Sequence, residues 1–66
     1  MNWISVEDEL PATGGHYIVK AVQDGEKLVE VFVYYFWYHT KKYYWAPDNL
    51  EVYFTGTITH WMPMPE

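Results

Sequence analysis

The fold of this chain is decided by the stretch LVEVFVYYFWY, residues 28–38, and by the dipeptide Asp24-Gly25 that precedes it. Valine and aromatic residues fill the stretch, and both kinds are enriched in β-strands. An Asp-Gly pair between two strand-forming segments is a strong signal for a hairpin turn. Residues 16–22 supply the second such segment. The sequence therefore predicts an antiparallel hairpin around Asp24-Gly25.

Side-chain alternation along a strand divides residues 28–38 between two faces of the sheet. One face carries Val29, Val31, Val33, Tyr35 and Trp37, and the other carries Leu28, Glu30, Phe32, Tyr34, Phe36 and Tyr38. We expect the first, mainly aliphatic face to form the main core.

The register of this first hairpin is open at the level of sequence. A two-residue loop pairs Ile18 with Val31, whereas a one-residue bulge brings Tyr17 and Val19 to that side instead. Both registers agree with the pattern of strand-forming residues.

A second hairpin is predicted to follow, with its loop at residues 39–42. Pairing of Tyr38 with Tyr43 would place Phe36 opposite Trp45. Aromatic cross-strand pairs of this kind contribute about 0.2–1 kcal/mol each.

The remaining segments are shorter and less regular. The strand that returns from the second hairpin, residues 43–46, should end at Pro47, because proline lacks a ladder donor. A strand fragment is expected at residues 52–54, and a last strand at residues 57–62 that Pro63 stops.

The N-terminal segment carries a helix-start signal. Ser5 followed by Asp8 is typical of an N-cap, which predicts one helical turn over residues 6–10 that ends at Pro11. The predicted fold is mainly β, or α+β at most. It is a single domain over residues 1–66, a small twisted antiparallel sheet of three to four strands with one short helical turn.

The composition indicates how so short a chain could be stable. At 66 residues it lies near the lower size limit of independent folding. It has no cysteine, so neither disulfides nor thiolate zinc sites can support it. Aromatic residues make up 21% of the chain, and each can bury about 150–250 Å². We expect a core built largely from rings.

The charge balance bears on partners and on location. Nine acidic residues against four basic ones give a net charge of −5, which argues against duplex nucleic acid and anionic membranes. No signal peptide is predicted, and the apolar stretches are too short to span a bilayer. We expect the protein to lie in the cytoplasm of a bacterial host.

Candidate catalytic and metal-binding residues are few. His16, His39 and His60 stand singly, without the spacing that metal ligands need. Ser5 is the only serine and is better explained as a cap. The acidic residues 7–9 are consecutive, so they do not face one another as an acid–base pair. We expect no catalytic residue, no metal site and no cofactor.

Aromatic residues are most concentrated in the segment of residues 32–45, where they make up nine of fourteen residues. One row of rings must enter the core, and the other is a candidate surface for a protein partner or for self-association. The candidates are Phe32, Tyr34, Phe36, Tyr38, Tyr43 and Trp45. The alternative is a platform on which single-stranded nucleic acid or carbohydrate stacks.

Two terminal motifs bracket the chain. A W-I-S-V-x-D-x-L-P motif covers residues 3–11, and a T-H-W-M-P-x-P motif covers residues 59–65. Together they resemble a family of small phage and prophage proteins, domain of unknown function 551. The resemblance implies a phage-related genetic setting and a small accessory protein, and it carries no activity to transfer. Structural anchors are expected among the matching residues, namely Trp3, Ser5, Pro11 and Trp61.

Overall fold

The computed structural model describes residues 2–49, 51 and 53–65, and these form one antiparallel sheet of five strands. The strands are β1 (Ile4–Ser5), β2 (Gly15–Gln23), β3 (Glu26–Trp37), β4 (Lys42–Pro47) and β5 (Thr57–Pro63). Their order across the sheet is β1-β5-β2-β3-β4, so β5 lies between β1 and β2. The mainly β prediction is confirmed, with five strands instead of three to four. No helix that could cross a membrane occurs among the described residues.

The first hairpin has the two-residue loop. Ile18 pairs with Val31, which decides between the two registers that the sequence left open. Asp24 and Gly25 both have positive φ, at 51° and 78°, as a type I′ turn requires. The Asp-Gly signal therefore fixed the register of the longest strand pair.

The second hairpin has a register that differs from the predicted one. Tyr43 pairs with Phe36, so the predicted pairing of Tyr43 with Tyr38 is wrong by two residues. The cause lies in the loop, where Lys41 takes a φ of 56° and its N–H donates to the carbonyl oxygen of Trp37 at 2.8 Å. This bond ends β3 one residue early. A shift of two residues leaves every side chain on its predicted face.

The core lies on the face opposite to the predicted one. Its buried members are Val19, Ala21, Phe32, Ile58 and Trp61. The prediction that Val29, Val31 and Val33 form the main core is wrong. The reason is non-local, because the strands beside β3 place their small and aromatic side chains on the side of Phe32. We call this side the core face.

Two irregular segments cover the core face. Val6, in the N-terminal segment, and Phe54, before β5, both pack against the buried cluster. The ring centroids of Phe54 and Phe32 are 4.9 Å apart in an edge-to-face arrangement. The strand fragment predicted at residues 52–54 is not found at residues 53 and 54, and Val52 lies outside the described residues.

The predicted helical turn over residues 6–10 is not found. The backbone N–H groups of Asp8 and Glu9 both donate to the carbonyl oxygen of Ser5, at 3.0 and 3.1 Å, and form a single reverse turn. The N–H of Val6 donates to the carbonyl oxygen of Thr59 at 3.0 Å. That bond continues the β1–β5 pairing beyond Ser5.

The predicted anchor residues occupy different positions in the packing. Trp61 is buried, and its Nε1–H donates to the carbonyl oxygen of Glu9 at 2.8 Å. Pro11 is also buried. Trp3 is half-buried at the sheet edge, with the ammonium of Lys20 4.7 Å from its ring centroid. In Ser5 the Oγ accepts a hydrogen bond from the N–H of Glu7 at 3.3 Å.

Candidate interaction surface

The sheet has a second face, opposite the core face, which we call the open face. Its side chains follow from the strand register, because paired residues share a face. They are Ser5 of β1, His16, Ile18, Lys20 and Val22 of β2, Lys27, Val29, Val31, Val33, Tyr35 and Trp37 of β3, Lys42, Tyr44 and Ala46 of β4, and Thr57, His60 and Met62 of β5. Large apolar side chains on it are exposed to solvent, among them Val29 and Trp37.

An apolar strip runs along β3 in the middle of the open face. We define this β3 strip as Val29, Val31, Val33, Tyr35 and Trp37. Val29 is 61% exposed and Trp37 is 48% exposed. The strip covers eight residue steps of the strand, or about 26 Å at 3.3 Å per residue. Contiguous apolar surface of this kind marks interaction sites in soluble proteins.

Aromatic rings surround a depression at one end of the strip. It has a volume of about 280 Å³ and is lined by Tyr35, Trp37, Thr40 and Tyr44. The ring centroid of Tyr35 lies 6.4 Å from that of Trp37 and 6.0 Å from that of Tyr44. The hydroxyl of Tyr44 donates to Oγ1 of Thr40 at 2.9 Å, which ties the β4 ring to the hairpin loop.

A second depression lies at the other end of the strip. Its volume is about 450 Å³, and its lining includes Lys20, Lys27, Val29 and His60. The hydroxyl of Thr59 donates to the carbonyl oxygen of Lys20 at 3.2 Å and lies 3.0 Å from Nδ1 of His60. Since the hydroxyl proton is directed to Lys20, the Thr59 oxygen can accept a hydrogen bond from Nδ1 of His60. This rim is therefore polar and partly cationic.

Charge is divided unequally between the two faces. Three of the four lysines, Lys20, Lys27 and Lys42, lie on the open face. The acidic side chains of β3, at Glu26 and Glu30, share the core face with Gln23 and Val19. The acidic residues 7–9 belong to the N-terminal turn, which lies on the core side. Among the described residues, the strands of the open face thus carry lysines and no carboxylate, and Asp48, just after β4, contacts His16 of this face.

The predicted interaction residues are divided by burial. Phe32 and Tyr34 are 2% and 6% exposed, so both belong to the buried part of the core face, and that they contact a partner stays a prediction. Burial of the Tyr34 hydroxyl raises its pKa, with smaller contributions from Tyr43 and Tyr17. The ring of Tyr34 stacks on that of Tyr43, with centroids 4.8 Å apart and planes at 8°. The rings of Phe32 and Tyr34, which the sequence analysis assigned to the candidate surface, therefore pack within the core face.

The other predicted interaction residues remain accessible to different degrees. Phe36 and Tyr43 are about half-exposed at the hairpin end of the core face, and Tyr38 is exposed in the loop. Trp45 is half-buried and packs against the core. Sequence reasoning missed the β3 strip as a surface because it assigned those side chains to the core. The signal that could have identified it is that Lys20, Lys27 and Lys42 fall on the same face as the β3 strip when side chains alternate along paired strands.

The histidines are separate from one another. The ring Nε2 of His16 contacts Oδ1 of Asp48 at 2.9 Å, and both side chains are more than half exposed. His39 is exposed in the second hairpin loop, with its ring centroid 5.5 Å from that of Trp37. Within residues 2–49, 51 and 53–65, no three His, Asp or Glu side chains come together as a metal site would require. That no metal is needed stays a prediction.

Comparison with known proteins gives a family and no activity. No curated protein and no solved structure matches the chain. The family model described as "Protein of unknown function (DUF551)" matches residues 2–66. That match takes in both terminal motifs and the whole sheet between them, and the chain therefore belongs to the DUF551 family.

Proposed function

We propose that this protein is a non-enzymatic protein-binding module whose binding surface is the open face of the sheet. The observation that supports the proposal is the β3 strip, which is apolar over about 26 Å by the rise of a strand. Val29, Tyr35 and Trp37 of the strip are exposed, and Val31 and Val33 are half-buried. In the described part of the chain, irregular segments cover the core face of the sheet, and no layer of secondary structure packs on the open face. Most domains consist of at least two packed layers. A partner would supply that layer.

The chemistry of the strip favours protein over nucleic acid or carbohydrate. Val29, Val31 and Val33 offer aliphatic surface on which bases and sugars cannot stack. Ring stacking is available only at Tyr35, Trp37 and Tyr44, at one end of the strip. Interface cores between proteins combine aromatic anchors with aliphatic surface in this way.

A different partner is favoured over a second copy of the chain. A dimer that buried two open faces against each other would bring together Lys20, Lys27 and Lys42 of both copies. Like charges that meet across an interface cost several kcal/mol, by general estimates of interface electrostatics. We therefore expect the isolated protein not to pair through this face.

The proposal includes a setting in a phage, prophage or other mobile element, and a location in the bacterial cytoplasm. The terminal motifs at residues 3–11 and 59–65 support the setting through the resemblance they carry. Gene neighbours of family members would test it, because integrase, replication or packaging genes should recur beside them.

The binding surface is tested by two variants with one control. Val29→Thr replaces a methyl group by a hydroxyl at an exposed strand position. Trp37→Ala removes one of the aromatic rings that line the depression. Tyr53, which is 83% exposed away from the sheet, provides the control Tyr53→Ala. The protein and its variants are used to recover partners from host lysate, and each recovered protein is then purified and its affinity measured.

The proposal expects one stoichiometric protein that wild type and Tyr53→Ala bind equally. The two open-face variants should bind it at least about tenfold more weakly, a loss of about 1.4 kcal/mol. Equal binding by all four proteins would move the site away from the open face. Tight binding of oligothymidine or glycans that Trp37→Ala abolishes, without a protein partner, would favour the stacking platform instead.

A further inference from the structure

The shape of the β3 strip limits what can cover it. The strip is one strand wide, with Ile18 and Ala46 as its apolar neighbours on β2 and β4. Towards β5 and β1 the open face is mixed, because Lys20, His60 and Ser5 form a polar row beside Val29. Ile18 and Met62 form an apolar row beside Val31. A second sheet would need apolar surface that is continuous across several strands, and Lys20, His60 and His16 interrupt it on β2 and β5. An α-helix, with a diameter of about 10 Å, matches a narrow strip.

The length of the strip gives the length of such a helix. About 26 Å of apolar strand corresponds to about 17–18 residues of α-helix at 1.5 Å per residue. A helix of that length presents one apolar stripe, with polar residues along both of its sides. The stripe would lie on the β3 strip, and one large apolar side chain would enter the depression between Trp37 and Tyr44.

Three lysines lie next to the strip. Lys27 precedes Val29 on the same face, Lys20 lies opposite Val29 on β2, and Lys42 lies opposite Trp37 on β4. Cations therefore stand at both ends of the strip, with Lys20 and Lys27 near Val29 and Lys42 beside Trp37. The ammonium of Lys20 also lies 4.7 Å from the ring centroid of Trp3. Side chains that flank the stripe of a docked helix would meet these ammonium groups, so carboxylates are favoured there.

The protein's overall negative charge does not oppose this arrangement. The side chains of Glu26 and Glu30 lie on the core face. The carboxylate of Asp48, beside the strip, contacts Nε2 of His16 at 2.9 Å. Charges farther apart than about 8–10 Å are largely screened at physiological ionic strength. The charges of Glu26 and Glu30 disfavour approach of an acidic helix to the core side, which orients the partner towards the open face.

We infer that the partner of the open face is an acidic amphipathic helix of about 18 residues, which lies along β3 with its apolar stripe on the β3 strip. This inference rests on the proposed function and specifies the partner's chemistry. Carboxylates at the edges of the helix contact Lys20, Lys27 and Lys42. The helix completes the missing second layer of the domain.

The experiment uses a displayed library of 18-residue helical peptides as the probe. Each peptide has a fixed leucine stripe at helical spacing, and its flanking positions are randomised among Glu, Lys, Gln and Ser. A second library carries a proline at its centre, so that its members cannot form a continuous helix. Peptides are selected on wild-type protein, and the affinities of the best binders are measured.

Three variants test the charges with matched controls. Lys27→Glu and Lys42→Glu are combined in one protein, whereas Lys41→Glu changes a neighbouring lysine in the hairpin loop, off the strands. Asp48→Asn removes the carboxylate that contacts His16 beside the open face. Circular dichroism of each variant confirms that the sheet is retained.

We expect glutamate to be enriched at the flanking positions of peptides selected on wild type. The double reversal should weaken the best acidic peptide by about tenfold or more, and selection on it should enrich lysine instead. Lys41→Glu should change the affinity less than about threefold, as a surface charge outside the contact does. Asp48→Asn should bind the acidic peptide as tightly as wild type or more tightly.

The failures are distinguishable. Selected peptides without excess glutamate, or an affinity that the double reversal leaves unchanged, would overturn the acidic partner and leave the apolar docking surface intact. Equal binding of proline-containing peptides would overturn the helix. If no peptide of either library binds, the inference fails, and the Val29→Thr and Trp37→Ala results with natural partners still decide the proposed function.

Discussion

The indole Nε1–H of Trp61 donates a hydrogen bond to the backbone carbonyl oxygen of Glu9 at 2.8 Å. The bond joins β5 to the N-terminal segment across the edge of the core. The ring also contacts that of Tyr17 edge to face, with centroids 5.3 Å apart. The two terminal segments of the chain, residues 3–11 and 59–65, therefore meet at one side chain.

Replacing Trp61 with alanine should remove most of the domain's stability. The side chain is 5% exposed, and loss of a buried Trp typically costs about 3–5 kcal/mol. Trp61→Phe keeps a ring and loses the hydrogen bond, so it should cost less. Trp37→Ala, on the open face, is the control and should change the free energy of unfolding little. Urea unfolding measures all three, and a Trp61→Ala protein as stable as wild type would contradict this role.

Stability should fall at alkaline pH because of Tyr34. Burial raises the pKa of its hydroxyl, so the folded state holds the proton more tightly than the unfolded chain does. Its contribution is complete below the unfolded pKa of about 10 and is lost as the pH rises through the higher folded value. Tyr34→Phe should reduce this loss, measured as the change in urea midpoint between neutral and alkaline pH. An unchanged alkaline loss in Tyr34→Phe, equal to that of the exposed control Tyr53→Phe, would refute the assignment.

Gly56 should not tolerate a side chain. A Cβ atom at this position would collide with the carbonyl oxygen of Val22 and lie 2.9 Å from Cβ of Gln23. These atoms belong to the end of β2, so relief requires a backbone shift. We expect Gly56→Ala to cost about 1–3 kcal/mol, as overpacking does. The nearby exposed change Thr57→Ala should cost less, and thermal unfolding of the two variants compares them.

The stability of the first hairpin turn should depend on which small residue occupies position 24. The φ of Asp24, 51°, lies in the left-handed region, which Asn and Asp adopt more readily than other L-residues. Asp24→Asn should leave stability unchanged or raise it slightly, whereas Asp24→Ala should lower it by about 1 kcal/mol. Equal unfolding midpoints for the two variants would argue against a type I′ requirement.

Local chemistry accounts for what could be predicted from the sequence. Asp24-Gly25 predicted the turn, and strand alternation predicted which side chains of β3 share a face. The loop of the second hairpin could not be predicted, because it closes with Lys41 in a conformation that lysine rarely adopts.

The choice of core face depended on information outside β3. Ile58 and Trp61 lie on the side of Phe32 because β5 lies beside β2, and no local pattern reveals that order. The open face was consequently mistaken for the core. A single sheet leaves one of its apolar faces uncovered, and the sequence of the sheet alone does not distinguish the two.

The position of β5 between β1 and β2 has a consequence for how the protein forms on the ribosome. β5 is made after all the other strands, yet it supplies Ile58 and Trp61 to the centre of the buried cluster. Until it emerges, β2 has an unpaired edge and β1 has no partner strand in the sheet. The nascent chain can form the two local hairpins but cannot close its core, since non-local pairing completes late. The core of this domain can therefore close only after β5 has been synthesised. A ribosome that stalls earlier holds a partial sheet whose aromatic side chains are exposed.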